Sequence, residues 1–159
     1  MNDWSRLQIG GETAESWNGT PRLDGVRVLV VESVPHIGEL VAAALGQCGA
    51  RVTAVNSAVE GLAVLKRERP DALVSGLSMP DKDGYWLIRE VRNLAPDQGG
   101  TVPAAAFTGC TSFKDRLSAL RAGFQFHIPR PTNLRKLAEV FARLSRLHSE
   151  AGARTQHNA

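Results

Sequence analysis

Five short apolar runs alternate with five amphipathic segments along the middle of this 159-residue chain. The runs are rich in β-branched residues and have the length of strands: VRVLVV (26–31), RVTAV (51–55), ALVSG (72–76), AAAF (104–107) and FQFHI (124–128). The segments have apolar residues at helical spacing and cover roughly residues 35–47, 58–68, 84–94, 112–121 and 132–148. This alternation is typical of βαβ units. We therefore predict an α/β fold with a doubly wound, five-stranded parallel sheet.

Polar stretches flank the predicted domain at both ends. Residues 1–24 are rich in Gly, Ser, Thr, Asn and Glu and lack a periodic apolar pattern, so we predict a flexible leader or linker there. Trp4 and Trp17 qualify this prediction, because either ring could dock on the domain or on a partner. The domain is predicted to span residues 25–148, and a disordered tail to follow at 149–159.

The sequence shows no sign of a membrane segment or of export. It has no run of about 18 apolar residues and no basic start followed by an apolar stretch. We therefore predict a cytoplasmic location. The two cysteines, Cys48 and Cys110, lack the spacing of metal ligands or redox pairs, so we expect reduced thiols in or near the core.

The net charge of +3 hides an uneven distribution. Residues 1–100 carry 10 Lys/Arg and 13 Asp/Glu, whereas residues 101–159 carry 9 and 3. Much of the excess lies on the last two predicted helices, through Lys114, Arg116, Arg121, Arg135, Lys136, Arg143 and Arg146. These side chains form either an ordinary solvated surface or one that attracts an acidic partner or nucleic acid. Only 6% of the residues are aromatic and none is spaced for base stacking, which argues against binding of RNA or single-stranded DNA.

Candidate functional residues follow the ends of the predicted strands. In a doubly wound sheet the functional crevice lies beyond the carboxyl ends of the strands, near the switch in strand order. The residues at these positions are Glu32 and Ser33 after the first strand, Gly76 at the third, Thr108 after the fourth and Arg130 after the fifth.

Four motifs occur in order along the chain: VLVVES, SMPDKDGYWLIREVR, PAAAFTG and AGFQFHIPRPTN. With them, residues 25–147 resemble the receiver domain of two-component response regulators, and most closely the receivers attached to hybrid sensor histidine kinases. The resemblance implies a (βα)5, flavodoxin-like fold with strand order 2-1-3-4-5. It also implies a module that accepts a phosphoryl group on an aspartate.

The chain departs from that family at the active centre. The family has two acidic residues after the first strand, an acceptor aspartate after the third, Thr or Ser after the fourth and Lys after the fifth. The matching residues here are Glu32, Ser33, Gly76, Thr108 and Arg130. Gly76 has no side chain, so no carboxylate at that position can attack a phosphohistidine. Because Ser33 also supplies no carboxylate, we expect Mg²⁺ binding to be weak or lost, and no other cofactor.

Two further positions follow from the resemblance. Arg130 keeps the charge of the family lysine and can pair bidentately with a carboxylate, so we hypothesise an Arg130–Glu32 ion pair across the space left at Gly76. In the family, the hydroxyl at Thr108 turns toward the phosphoryl group and is coupled to an aromatic residue, where this chain has His127. That histidine is either a pH-sensitive replacement for the aromatic ring or an ordinary half-buried histidine.

These departures predict a degenerate receiver, or pseudo-receiver, that is not an enzyme and acts by protein–protein interaction without phosphorylation. The family uses the face of its fourth helix, fifth strand and fifth helix for dimers and output contacts. A histidine kinase, a phosphotransfer protein, another receiver or a second copy of this chain is expected there. The candidate contacts are Arg116, Arg121, Arg135 and Arg143.

Two alternatives stay open. Asp81 or Asp83, in the loop after the third strand, could serve as an unorthodox phosphoryl acceptor, although a carboxylate in such a loop commonly caps the next helix. The basic helices could also belong to a regulator associated with nucleic acid, but the sequence shows no helix-turn-helix or other reading motif.

Overall fold

Five strands form one parallel sheet in a computed structural model that describes residues 22–109, 112–129, 136–144 and 146. The strands are β1 (Arg27–Val31), β2 (Arg51–Val55), β3 (Ala72–Ser75), β4 (Ala104–Thr108) and β5 (Phe126–Pro129). Their order in the sheet is β2-β1-β3-β4-β5, and all neighbouring strands are parallel. The predicted (βα)5, flavodoxin-like fold and its strand order are confirmed.

Five helices follow the five strands. Four of them are α1 (Pro35–Gln47), α2 (Ala58–Glu68), α3 (Gly84–Arg92) and α4 (Phe113–Ala122). The fifth, α5, is helical at residues 136–144 and at residue 146. A short 3-10 helix at Pro96–Gln98, which the sequence did not indicate, lies between α3 and β4. Within the described ranges, no helix is both long enough and apolar enough to cross a bilayer.

Polar side chains mark where three of the helices begin. Ser57 accepts a hydrogen bond from the backbone N–H of Glu60 at α2, Asp83 from that of Trp86 at α3, and Ser112 from that of Asp115 at α4. Each cap satisfies a backbone N–H that has no partner within the helix. The loops at the carboxyl ends of β3 and β4 therefore have defined exits into α3 and α4.

The sheet buries both of its faces. Alternate residues of a strand point to opposite faces, so Leu29 and Val31 pack with α2, α3 and α4, whereas Val28 and Val30 pack with α1 and α5. Among the residues that the structure describes, Phe141 of α5 is the largest fully buried side chain. With both faces covered, the strand tips and the edges of the sheet remain as places for functional groups.

Cys48, which ends α1, lies in the core formed with α1 and α5. Burial raises the pKa of its thiol, so the neutral form dominates at physiological pH. The expected core position is confirmed for Cys48, while Cys110 lies outside the described residues.

Several boundaries differ from those predicted. The fifth strand begins at Phe126 instead of residue 124, because Gly123 (φ 130°) and Phe124 close the end of α4, where the Phe124 N–H donates to the Ala119 carbonyl oxygen at 3.1 Å. The third strand ends at Ser75, and α3 ends at Arg92. Before the predicted start of the domain, Leu23 is buried. The leader with Trp4 and Trp17 lies outside the described residues, as does the tail at 149–159.

Candidate functional site

The carboxyl ends of β1, β3 and β4 lie side by side at one end of the sheet. Val31 is in register with Ser75, and Ser75 with Ala106, so the residues after β1 and β3 are neighbours. The Gly76 N–H donates to the Val31 carbonyl oxygen at 2.9 Å, which continues the β1–β3 pairing by one step. The structure thus brings together Glu32, Gly76 and the end of β4, as predicted from the order of the strands.

Glu32 is a buried carboxylate at the carboxyl end of β1. Its side chain is 4% exposed, and its Oε1 accepts a hydrogen bond from the backbone N–H of Val34 at 3.3 Å. Its Cβ lies against Gly38 of α1, where a methyl group would be 3.6 Å away. The Cβ of Glu32 therefore packs against α1, while its carboxylate is hydrogen-bonded to the β1–α1 loop.

The Glu32 carboxylate points at Gly76. A methyl group placed on Gly76 would lie 2.7 Å from Glu32 Oε2, 3.3 Å from Cδ and 3.5 Å from Oε1. Real Cβ atoms essentially never approach another atom within 3.0 Å. A side chain at residue 76 would therefore require the end of the Glu32 side chain to shift. The sequence placed both residues at the crevice but did not reveal this contact.

Three serines lie in the loops and strands around this contact. Ser33 is half-buried, and Ser78 is exposed. Ser75 is buried, and its hydroxyl donates to the Gly76 carbonyl oxygen at 2.8 Å. Arg130 lies outside the described residues, so the hypothesised Arg130–Glu32 ion pair stays a prediction.

The loop from β3 to α3 packs tightly against the tip of β3. The Gly84 N–H donates to the Leu77 carbonyl oxygen at 2.9 Å, and a methyl group on Gly84 would overlap the Gly76 carbonyl oxygen. Asp83 caps α3, with its Oδ1 2.8 Å from the Trp86 backbone nitrogen. Asp81 is exposed and has a left-handed backbone (φ 65°). Gly84 is required for this close approach, and Asp83 has the capping role that the sequence favoured.

The two predicted switch residues are in neighbouring strands. Thr108 is the last residue of β4, is 4% exposed and pairs with Pro129. His127 is half-buried in β5 and pairs with Ala106, which faces the core formed with α2, α3 and α4. Since paired residues of parallel strands point to the same face, His127 lies on the α4 side of the sheet.

The strand tips offer few ligands for a hard cation. Mg²⁺ is normally held by carboxylates with near-octahedral geometry. Here Glu32 is occupied by the Val34 N–H and packs on Gly76, while Ser33 and Gly76 supply no carboxylate. Across the described part of the chain, no group of three or more His, Cys, Asp or Glu residues could hold a metal ion. Of the strand-tip residues Glu32, Ser33 and Gly76, only Glu32 carries a carboxylate.

A basic surface flanks β5, which is one of the two edge strands of the sheet. The described residues of α4 and α5 carry two acidic side chains, Asp115 and Glu139, and six exposed basic ones: Lys114, Arg116, Arg121, Lys136, Arg143 and Arg146. Phe113 and Leu120 of α4 are 76% and 43% exposed. Arg135 lies outside the described residues. The sequence indicated the basic residues but not the exposed Phe113, which follows the Ser112 cap and lies outside the buried stripe of α4.

Known proteins match both the sequence and the fold. The family model described as "Response regulator receiver domain" matches residues 28–142. An uncharacterised 14.6 kDa protein of Leptolyngbya boryana is 41% identical over 106 residues, which cover 67% of this chain and 79% of that protein. The response regulator MprA of Mycobacterium leprae is 32% identical over 129 residues, which cover 80% of this chain but only 55% of MprA.

Among solved structures, a CheY-like receiver domain protein from Methanospirillum hungatei superposes with a TM-score of 0.71. It is 25% identical, and the match covers 79% of this chain and 98% of that one. The expected likeness to hybrid kinases is weak, because hybrid signal transduction histidine kinase D of Dictyostelium discoideum is 28% identical over 122 residues, which are 73% of this chain and 8% of that protein.

Proposed function

Since this chain belongs to the response regulator receiver family, we propose that it is a degenerate receiver of two-component signalling, which acts by binding other signalling proteins without being phosphorylated. Receiver domains are signalling modules, and their contacts with partner proteins carry the signal. We also propose that it works in the cytoplasm.

One observation carries the proposal: the residue that directly follows β3, where the family places its acceptor aspartate, is Gly76. A phosphoryl group moves to a receiver when a carboxylate attacks the phosphohistidine of a kinase or phosphotransfer protein. Gly76 supplies no such group, and the neighbouring Glu32 carboxylate is buried and hydrogen-bonded to a backbone N–H. Weak or absent Mg²⁺ binding belongs to the same proposal.

The partner surface that we propose is the basic surface formed by α4 and α5 on either side of β5. Arg116, Arg121 and Arg143 are exposed there, and Arg135 is included on the evidence of the sequence alone. A histidine kinase, a phosphotransfer protein or another receiver with a complementary acidic surface would be attracted to it. The exposed rings and methyl groups of Phe113 and Leu120 add apolar area for such a contact.

Intact-mass measurement after incubation with acetyl phosphate and Mg²⁺ tests the proposal. We expect the mass of this chain to stay unchanged, while a receiver that has its acceptor aspartate gains one phosphoryl group under the same conditions. A stoichiometric gain by this chain, at Asp81, Asp83 or any other residue, would overturn the proposal and favour the unorthodox acceptor.

A further inference from the structure

We propose that residues 12–17 of the leader add a strand to the sheet, antiparallel to β2 along its outer edge. The Glu15 carboxylate and the Trp17 ring then lie over two arginines at this edge, Arg27 and Arg51. Such pairing is independent of phosphorylation and of the basic surface at β5. It covers one edge of the sheet with the chain's own residues and leaves the β5 edge for other proteins.

The first support is that backbone groups of β2 point away from the sheet. β2 is at the end of the strand order, and among the described strands it pairs with β1 alone. The Arg51 N–H donates to the Val26 carbonyl oxygen at 2.8 Å, so Arg51 and every second residue after it face β1. The N–H and C=O groups of Val52 and Ala54 therefore point outward. An edge of this kind is one to which an extended segment can add by main-chain hydrogen bonds.

The second support is a small cleft beside this edge, which has room for an acidic group. Its lining includes Arg27, Arg51, Thr53 and Glu68. The Glu68 carboxylate accepts a hydrogen bond from the Thr53 hydroxyl at 3.0 Å, and the Glu68 carbonyl oxygen accepts one from the Arg27 guanidinium. Arg51 is exposed and forms no salt bridge within the described ranges. Its guanidinium is thus available to a carboxylate brought along the edge.

The third support is the place where the leader meets the domain. The described chain begins at Arg22, whose guanidinium donates to the Gln47 carbonyl oxygen at 3.3 Å, shortly before β2 starts. A strand that runs along β2 toward this point is antiparallel to β2. It would be two strand spacings from β1, roughly 10 Å. Residues 18–21 can span up to about 13 Å, so they are long enough to connect the two.

The fourth support is the sequence of the leader. Residues 12–17 read ETAESW, with two glycines before them and the turn-forming pair Asn18-Gly19 after them. Glu15 and Trp17 are two residues apart, so they share one face of a strand and can contact the arginines by an ion pair and a cation–π interaction. Residues 1–21 carry three acidic side chains and one basic. Because the leader is covalently attached, its effective concentration at the edge is about millimolar, which favours it over a separate chain.

Amide hydrogen exchange of the full-length chain, followed for single residues by NMR, tests the added strand. Thr13→Pro/Ala14→Pro removes two successive N–H groups from the leader, one of which faces β2 in the proposed pairing. We expect the outward N–H groups of Val52 and Ala54 to exchange at least about tenfold faster in this variant than in the wild-type chain. The N–H group of Thr53, which faces β1, should keep its protection and so show that the domain is still folded.

Leu7→Pro/Gln8→Pro is the matched control, because it places two successive prolines in the leader outside residues 12–17. It should leave exchange at Val52 and Ala54 as in the wild-type chain. Wild-type exchange at these two amides as fast as in an unstructured peptide, or protection that the first double variant does not reduce, would overturn the inference. Protection that grows with protein concentration would also overturn it, because a second copy of the chain would then pair with β2. Failure of the proposed function is distinct, since it is seen as phosphorylation of the wild-type chain.

Discussion

Gly76 differs from the acceptor position of ordinary receivers because it has no side chain, whereas Glu32 keeps one of the two acidic residues that the family has after its first strand. The Glu32 carboxylate lies beside Gly76, since a methyl group on Gly76 would be 2.7 Å from Glu32 Oε2. The carboxylate therefore packs against the backbone where the acceptor side chain of the family would begin.

The strand-tip positions could be predicted, because the alternation of strands and helices determines which residues end up at the carboxyl edge of the sheet. The direction of the Glu32 side chain could not, since it depends on torsion angles and on the space available at Gly76, which lies 44 residues away. The role of Asp83 was predicted in general terms, because a carboxylate just before an amphipathic segment commonly caps it.

Asp81 and Asp83, in the loop before α3, should differ in their contributions to the free energy of unfolding. Asp83→Ala removes the hydrogen bond to the Trp86 N–H and should lower the free energy of unfolding by about 1 kcal/mol. Asp81→Gly should be neutral or slightly stabilising, because it relieves a left-handed backbone at φ 65°. Urea denaturation measures both changes. A large loss with Asp81→Gly would instead point to a specific contact of the Asp81 carboxylate.

Arg92, at the end of α3, connects three parts of the fold that the sequence pattern does not link. Its guanidinium donates to the carbonyl oxygens of Gly123 (2.8 Å), Gly100 (3.0 Å) and Val102 (2.7 Å), and to Gln125 Oε1 at 3.2 Å. α3 is thereby tied to the segment before β4 and to the turn from α4 to β5. Partial burial lowers the pKa of Arg92, although not enough to remove its charge at neutral pH.

This network could not be predicted, because all four acceptors belong to loops and turns whose course depends on the finished fold. The five strands and the first four helices were predictable within about two residues from periodicity and caps. What the pattern lacks is any mark that distinguishes Arg92 from its neighbour Arg89, three residues earlier on the same helix, whose side chain is exposed.

Replacement of Arg92 should destabilise the contacts of α3 with the two segments that Arg92 bonds. Arg92→Ala leaves several loop carbonyl groups without their charged donor, so we expect the free energy of unfolding to fall by about 2 to 4 kcal/mol. Arg92→Lys should retain less than half of the stabilisation, since an ammonium group cannot reproduce the planar set of donors.

Arg89→Ala serves as the control on the same helix and should change the free energy of unfolding by no more than about 0.5 kcal/mol. Chemical denaturation followed by circular dichroism measures all three variants. Similar losses for Arg89→Ala and Arg92→Ala would mean that the loss belongs to α3 in general and not to the Arg92 network.

At the scale of the whole molecule, the two edges of the sheet differ in what flanks them. β5 lies between α4 and α5, whose described residues expose six basic side chains together with Phe113 and Leu120. β2 forms the opposite edge, where Arg51 is exposed and in register with Arg27. The sequence revealed the excess of positive charge after residue 100, but its arrangement around one edge strand required the sheet order.

The sign of the salt dependence should distinguish the partners proposed for the β5 edge. An acidic partner is attracted to the basic surface, so its affinity should fall at least tenfold as ionic strength rises from about 0.05 to 0.5 M, because the Debye length shrinks from above 10 Å to a few Å. A homodimer through the same surface would bring like charges together and should instead become tighter with salt.

We expect affinity to fall with salt when this chain binds a histidine kinase domain or a phosphotransfer protein from the same genome. Isothermal titration calorimetry at several salt concentrations measures this dependence. The double variant Arg116→Glu/Arg121→Glu should weaken binding at low salt and flatten the dependence, because both side chains are exposed on α4. Arg51→Glu, which reverses a single charge at the β2 edge, should change neither the affinity at low salt nor its dependence on salt. Sedimentation of the chain alone measures self-association. A dimer that becomes tighter with salt would contradict the prediction, because a second copy of the chain would then occupy this surface.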